Sequence, residues 1–126
     1  MQAQEPLYRR LGGPQGIASL VDDIVVAHMA NPVIKARFLP ILGDPARLAV
    51  IKQHTCQFLE MGGGGPAKYE GRSMRDAHTG MNISPEEYVA ALDDILMVLG
   101  KHSIDEQTQK DVLAIAYSLK PDIVRL

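Results

Sequence analysis

Four histidines and one cysteine are the side chains of this sequence best suited to chemistry: His28, His54, His78, His102 and Cys56. Imidazole and thiolate groups bind metal ions, and imidazole also transfers protons near neutral pH. No two of these histidines have the spacing of a zinc-binding helix, and one cysteine gives no zinc-finger pattern. We therefore expect no structural zinc site. The sequence also lacks a P-loop, a dinucleotide-binding glycine fingerprint and a GxSxG nucleophile elbow.

Spacing alone assigns ordinary roles to the histidines. His54 shares a helical face with Ile51 and Phe58, where a hydrogen-bonded core histidine is the usual role and a pocket ligand is the alternative. His78 ends a short segment, and its position favours a partly exposed histidine at a helix end. His28 continues an apolar stripe and is interpreted as a core or edge residue.

The remaining two side chains carry less signal. His102 follows a helix end at Gly100 and is expected to face solvent. Cys56 lies two residues from His54, and side chains two apart point to different faces of a helix. We interpret Cys56 as a small filler of core or surface rather than a reactive thiol.

Capping residues followed by proline predict where helices begin, because the cap accepts a backbone N–H and proline has none to satisfy. These pairs are Asn31-Pro32, Asp44-Pro45 and Ser84-Pro85, and Gly12-Gly13-Pro14 predicts a further break and restart. Glu87 adds a capping box at Ser84, and the run from Ser103 to Glu106 repeats that device. These signals predict a chain made of several separate helices.

Apolar spacing agrees with these starts and predicts four substantial helices. The stripes are Ile17, Val21, Ile24, Val25 and His28 in a helix over residues 14–30; Leu48, Ile51, Thr55, Phe58 and Leu59; Tyr88, Leu92, Ile95, Leu96 and Leu99; and Val112, Ile115, Ala116 and Leu119. Short helices are expected near residues 5–11, 32–38 and 72–78, and four glycines at 62–65 interrupt the chain. The fold class is all-α, and periodicity leaves open an ordinary bundle or a globin-like packing.

Length and composition bound the class of protein. At 126 residues, the chain is expected to form one domain over residues 1–126. Its net charge of −2, with both signs scattered, argues against a nucleic-acid partner. No apolar run approaches the roughly 20 residues that cross a bilayer, so no membrane partner is expected. The start of the chain, MQAQEPLY, lacks the features of a secretory signal, and we expect a cytoplasmic protein.

Two sequence blocks resemble the truncated haemoglobins, specifically their group I. Residues 7–13, LYRRLGG, look like the opening short helix and glycine pair of that family, and residues 64–78, GGPAKYEGRSMRDAH, look like its glycine loop and the segment that ends in the proximal histidine. Phe38, Asp122 and Val124 extend the resemblance over nearly the whole chain. It implies a truncated globin, a two-over-two helical sandwich around haem.

The resemblance implies a role for each matching residue. His78 is the axial ligand of the iron, Phe38 and Met74 pack on the macrocycle, and Tyr69 with Arg72 meets the propionates. A neutral imidazole on one side and an apolar cavity around the plate are what such a group needs. Ile51, Thr55 and Phe58 complete the predicted haem contacts.

Departures from the family pattern concern the distal side. The family's Phe-Tyr pair in the second helix, whose tyrosine donates a hydrogen bond to the bound gas, is matched here by Ile24-Val25. The predicted distal pocket consists of Val25, Ile51, His54 and Thr55. With few donors, oxygen should bind weakly, because a hydrogen bond to it stabilises by about 1 kcal/mol or more. His54 matches a position that in some relatives occupies the sixth coordination site.

By resemblance, the cofactor is non-covalent haem b, because Leu119 stands where some relatives have a histidine linked to haem. The implied function is reversible binding of O2, CO and NO, with nitric oxide dioxygenation, supported by a reductase, or another reactive-nitrogen chemistry as the favoured turnover. One alternative is a redox or electron-transfer protein in which His54 and His78 both ligate iron. Gas sensing through a partner and a haem-free helical adaptor are the remaining alternatives.

Overall fold

The computed structural model describes residues 5–126; residues 1–4, part of the segment in which no secretory signal is predicted, lie outside the described range. Seven helices follow one another within it: α1 Leu7–Arg10, α2 Gly13–Ala30, α3 Lys35–Leu42, α4 Pro45–Gly62, α5 Met74–His78, α6 Pro85–Lys101 and α7 Glu106–Ser118, with a 3-10 turn at Lys120–Asp122. Among these residues the only β pairing is an isolated bridge between Ile83 and Val124. The all-α expectation is confirmed.

Helix α2 is the central element, because it packs against α4, α6, α3 and α1. Its apolar stripe supplies much of the buried core, which consists of Leu11, Ile17, Leu20, Val21, Val25, Val98, Leu99 and Val112. The sharp entry into α2 requires Gly12, whose φ is +101° and which lies against Gly16. The predicted break at Gly12-Gly13-Pro14 is therefore found.

Two of the predicted caps are confirmed. Asp44 accepts a hydrogen bond from the Arg47 N–H at the start of α4. At α6, Ser84 accepts from the Glu87 N–H while the Glu87 carboxylate accepts from the Ser84 N–H, which completes a capping box. Helix α4 ends at Gly62, where the glycine run begins.

The other two predicted starts were wrong. Asn31-Pro32 does not begin a helix: its side chain accepts from the Val33 N–H in a turn, and α3 begins only at Lys35. At α7 the cap is Asp105, which accepts from the Thr108 N–H, and not Ser103, whose φ is +59°. Both errors concern polar residues whose side chains favour turns as readily as helix caps.

His102 was also misjudged. It is half-buried at the end of α6, and its Nε2 lies 2.6 Å from the Asp23 carboxylate on α2. The contact with this carboxylate explains the difference, because Asp23 is far away in sequence and its position depends on the packing of α2 against α6.

Candidate functional site

His78 closes the short helix α5 and has one ring nitrogen committed to the backbone. Ser73 caps the helix by accepting from the Asp76 N–H at 3.1 Å. His78 Nδ1 lies 2.7 Å from the Met74 carbonyl oxygen, which can only accept, so Nδ1 carries the proton. Nε2 then bears the lone pair, and it has no hydrogen-bond partner among residues 5–126. This is the arrangement in which a neutral imidazole can ligate a metal.

Helix α4 presents two faces with different surroundings. Leu48, Cys56 and Leu59 pack against the core on one side. Ile51, His54 and Phe58 share another face and are only half-buried. No residue of α3, α4 or α5 is fully buried, whereas α2, α6 and α7 all contain buried residues. The apolar side chains of α3 to α5 are thus no more than half-buried, including those on the side of α4 that meets the core.

The order in which the helices pack leaves α4 and α5 apart. Helix α4 packs on α2, α2 on α6, α6 on α7, and α7 on the 3-10 turn, which in turn contacts α5. Within the described part of the chain, α4 and α5 share no interface of comparable extent. We name the half-buried residues Ile51, His54 and Phe58 of α4, together with Met74 and His78 of α5, the α4–α5 cleft.

Tyr69 lies on the segment 66–73, which connects the two sides of the cleft. Its ring makes edge contacts with Phe58 at 5.5 Å and His54 at 6.0 Å between centroids. Its hydroxyl donates to the carbonyl oxygen of Arg72. Tyr69 therefore packs on α4, and its hydroxyl is already engaged by the backbone rather than available for a propionate.

Several cations lie near this segment. The side chains of Lys68 and Arg72 are exposed and form no ion pair with any residue between 5 and 126. Arg75, by contrast, lies 3.5 Å from the Asp122 carboxylate. Lys68 and Arg72 are therefore two cations of the 66–73 segment that no carboxylate among residues 5–126 neutralises.

The remaining predicted site residues are distributed unevenly. Phe38 is half-buried on α3 and packs on the His28 ring at 5.3 Å. Thr55 is exposed, and its hydroxyl donates to the Ile51 carbonyl one turn earlier. Val25 is buried in the core between helices. The structure thus brings His54, Phe58 and Tyr69 into contact but commits the Thr55 hydroxyl to its own helix.

Sequence reasoning missed a buried polar network behind Phe38. His28 Nδ1 lies 2.8 Å from Asp94 Oδ2, and Asn31 Nδ2 lies 3.1 Å from both oxygens of that carboxylate. His28 and Asp94 are each less than a tenth exposed. His28 was expected in the core, but its partner Asp94 lies on α6, and no local pattern pointed to it.

A second missed contact ties α3 to α6. The Arg37 guanidinium meets the Glu87 carboxylate at 2.6 and 2.9 Å and also donates to the Met81 carbonyl at 2.7 Å. The bond from Arg37, together with the backbone bond from Ser84, lowers the pKa of Glu87 to about 2. On α4, burial raises the pKa of the Cys56 thiol, which disfavours the reactive thiolate.

Other kinds of site are not supported elsewhere. Two surface concavities lie outside the cleft, one between α2 and α6 and one beside the 3-10 turn, and neither contains His54 or His78. Over residues 5–126 there is no group of three or more potential metal-binding side chains. No single helix in that range is long and apolar enough to cross a membrane; α2 and α3 reach that length only together, across a bend of 111°.

Comparisons with known proteins agree with this arrangement. Residues 6–124 match the model of the bacterial-like globin family. A group 1 truncated hemoglobin from Synechocystis sp. is 29% identical over 114 residues, which cover 87% of this chain and 88% of that protein. The group 1 truncated hemoglobin of Tetrahymena pyriformis is 24% identical over 98% of each chain.

Solved structures show the same fold. The ferric truncated hemoglobin of Tetrahymena pyriformis superposes with a TM-score of 0.87 over 97% of this chain and 100% of that one, at 20% identity. The 2/2 hemoglobin of Synechococcus sp. PCC 7002, solved in the cyanomet state with covalently attached heme, gives 0.83 over 95% and 98%, at 22% identity. The expected two-over-two architecture is confirmed, and the chain belongs to the bacterial-like globin family, with group 1 truncated haemoglobins among its relatives.

Proposed function

We propose that this protein binds haem b non-covalently in the α4–α5 cleft and binds diatomic gases there reversibly. Membership in the globin family implies haem and gas binding, and the observation that carries the assignment to this cleft is His78. Its Nδ1 is held by the Met74 carbonyl, so Nε2 keeps its lone pair and the ring is fixed in one orientation. When bound, the haem iron supplies the site at which O2, CO or NO is held.

The residues around the cleft fit a flat apolar plate with two carboxylates. Half-buried Ile51 and Phe58 offer apolar surface on α4, and Met74 offers it on α5. Burying such surface against a ligand is favourable by about 25 cal/mol for each Å² removed from water. Exposed Lys68 and Arg72 supply cations for the propionates, while Tyr69 contributes its ring rather than its hydroxyl.

We infer from the residue at the end of α7 that haem is bound non-covalently. By resemblance, Leu119, the C-cap of α7, matches the position at which some relatives carry a histidine linked to haem, and leucine has no nucleophilic atom. Extraction of haem into acidified butanone should therefore be complete. Retention of haem by the polypeptide would contradict this assignment.

The distal side offers few hydrogen-bond donors. Val25 is apolar and buried, and the Thr55 hydroxyl is engaged by the Ile51 carbonyl. His54 alone among the predicted distal residues carries a donor without a partner in residues 5–126. We expect a lower affinity for O2, relative to CO, than in relatives with a distal tyrosine, because bound O2 gains more from a donor.

Absorption spectra of the haem-reconstituted protein test this proposal directly. His78→Ala should lose most of its haem affinity, because the axial nitrogen is removed. His54→Ala should retain haem. His102→Ala is the matched control, since His102 pairs with Asp23 away from the cleft. Equal haem affinity in His78→Ala and the parent would refute the assignment of the proximal ligand.

Nitric oxide dioxygenation is the turnover that we propose for this site. It consumes NO and O2 and releases nitrate, and one electron from a reductase must restore the ferrous state in each cycle. The few distal donors leave O2 weakly held, so we expect turnover only with a reductant in excess. Aerobic NO consumption with one nitrate formed for each NO would support the activity, and consumption equal to that of His78→Ala would contradict it.

A redox role with two histidine ligands is the second candidate, because His54 lies on the cleft face of α4 with no hydrogen-bond partner among the described residues. Ferrous and ferric spectra separate the two functions. Low-spin spectra in both states that become high-spin in His54→Ala would favour the redox protein. A five-coordinate ferrous parent, unchanged by His54→Ala, would favour gas binding.

A further inference from the structure

The segment that carries Tyr69 is fastened to α4 by two hydrogen bonds. Gln57 Nε2 donates to the Glu70 carboxylate at 2.7 Å, and the Glu70 N–H donates to Gln57 Oε1 at 3.1 Å. One side chain of α4 thus holds both the backbone and the side chain of residue 70. The neighbouring Tyr69 is placed against α4 by this pairing, in a stretch that otherwise contains no helix or strand.

The Tyr69 ring is also held by contacts with residues 71 and 72. Its hydroxyl donates to the Arg72 carbonyl, and the ring lies directly over Gly71. A Cβ atom at position 71 would overlap the phenol oxygen and the carbon that bears it. Glycine is therefore required at position 71 for the space it leaves to the Tyr69 ring.

The Tyr69 ring also contacts the His54 ring on α4. The His54 and Tyr69 rings make an edge contact at 6.0 Å with an interplanar angle of 74°, and Phe58 makes a similar contact at 80°. Edge-to-face contacts of this kind are favourable beyond the area they bury. Because Tyr69 belongs to the segment between α4 and α5, a His54 ring that packs on Tyr69 is held toward that segment.

We propose that Tyr69 is a positioning residue that holds the His54 imidazole against the 66–73 segment and so limits its competition with gas for the sixth coordination position. The inference rests on the proposed haem site and deepens it. It assigns to Tyr69 a contact with His54 in place of the propionate contact that the family resemblance implied. Gly71, Gln57 and Glu70 support the position of the ring.

Three variants probe the contact in different ways. Tyr69→Leu removes the edge contact, Tyr69→Phe keeps the ring and removes the hydroxyl anchor, and Gly71→Ala displaces an intact tyrosine. Tyr117→Leu is the matched control, because Tyr117 is an exposed tyrosine on α7. The readout is the ratio of six- to five-coordinate ferrous haem in the absence of gas, together with the rate of CO binding.

Tyr69→Leu and Gly71→Ala are expected to raise the six-coordinate ratio about three- to tenfold, the factor equivalent to the loss of one edge contact. CO binding should slow accordingly, because an internal ligand reduces the fraction of binding-competent protein. Tyr69→Phe should shift the ratio less. Adding His54→Ala to Tyr69→Leu should return the haem to the five-coordinate form, which would identify His54 as the sixth ligand.

Haem-free protein provides a second readout. The ring-proton resonances of His54 should move in Tyr69→Leu and Gly71→Ala, because an aromatic neighbour is lost or displaced, and should not move in Tyr117→Leu. Failure of the parent to take up haem would refute the proposed function. Normal haem uptake with the coordination of Tyr69→Leu unchanged, or a parent already fully six-coordinate through His54, would overturn only the role of Tyr69.

Discussion

The carboxylate of Asp94 shows at the level of single residues how this fold accommodates a buried charge. It accepts hydrogen bonds from His28 and Asn31, which come from the end of α2 and the turn after it. A buried polar group without partners is costly, so these bonds offset the desolvation of the carboxylate. Because Phe38 packs on the His28 ring, the network also fixes a side chain proposed to contact haem.

Removing this carboxylate is expected to destabilise the protein markedly. Asp94→Ala leaves the donors of His28 and Asn31 without a partner and should lower the free energy of unfolding by about 2–3 kcal/mol. Urea denaturation at neutral pH measures the loss. The exposed neighbour Asp93 provides the control, and Asp93→Ala should change stability by no more than about 0.5 kcal/mol. Similar losses in the two variants would mean that the network contributes nothing specific.

At the level of elements, Glu87 joins three parts of the chain. Its carboxylate completes the capping box at the start of α6 and pairs with Arg37 on α3. Arg37 also donates to the Met81 carbonyl, in the loop that follows His78. The orientation of α3, and with it Phe38, is thus tied to the loop leaving the proposed proximal histidine.

The stabilisation from Glu87 should depend on pH in a defined direction. The bond from Arg37 lowers its pKa from the ordinary 4.5 to about 2, so folding favours the ionised form. This contribution is complete above pH 5 and is lost as the pH falls from about 4.5 toward 2. After allowance for screening by water, Glu87→Gln should cost about 1 kcal/mol at pH 7 and progressively less below pH 4.5.

Urea unfolding of Glu87→Gln and Glu86→Gln across this pH range provides the measurement. Glu86 is an exposed residue of the same helical turn and should show no comparable loss. A cost for Glu87→Gln that stays constant between pH 7 and pH 3 would be inconsistent with the ion pair as its origin.

Local sequence predicted those elements whose ends depend on local contacts. The caps at Asp44 and Ser84 bond to backbone groups three residues away, so their function follows from the sequence. Asn31 differs from its prediction because its side chain accepts a hydrogen bond from the Val33 N–H in a turn, which a capping residue forms as readily as a helix start. His102 differs because its partner Asp23 is on another helix, where no local pattern points to it.

In the candidate site, too, local contacts could be predicted from the sequence and contacts between distant residues could not. The bond from His78 to the Met74 carbonyl spans four residues and suits a histidine at the end of a short helix. The contacts of Tyr69 with His54 and Phe58 depend on how the 66–73 segment returns to α4, and no periodicity encodes that path. The resemblance supplied the identity of the site residues, and the structure supplied their neighbours.

At the scale of the whole molecule, burial is uneven. The buried core consists of Leu11 and residues of α2, α6 and α7, while α1, α3, α4 and α5 contain no buried residue. Regions with few buried contacts open locally at low free energy. The haem-free protein should therefore consist of a stable half and a labile half.

Haem is expected to stabilise the labile half. At a free haem concentration about 1,000 times its Kd, binding contributes roughly 4 kcal/mol, which corresponds to a rise in Tm of about 10–20 °C for a chain of this size. Calorimetry measures the shift, and amide hydrogen exchange should show protection gained chiefly in α3, α4 and α5. Protection gained equally in α2 and α6 would contradict the uneven distribution.

The bridge between Ile83 and Val124 has a consequence for how the protein is made. The Arg125 N–H donates to the Ile83 carbonyl, and the Asn82 N–H donates to the Leu126 carbonyl. The loop that follows His78 is thus paired with residues more than 40 positions further along the chain. During synthesis, the N-terminal portion can begin to fold first. The pairing beside the proposed proximal histidine can form only after residues 124–126 have been translated, so the loop after His78 is completed later than the helices that precede it.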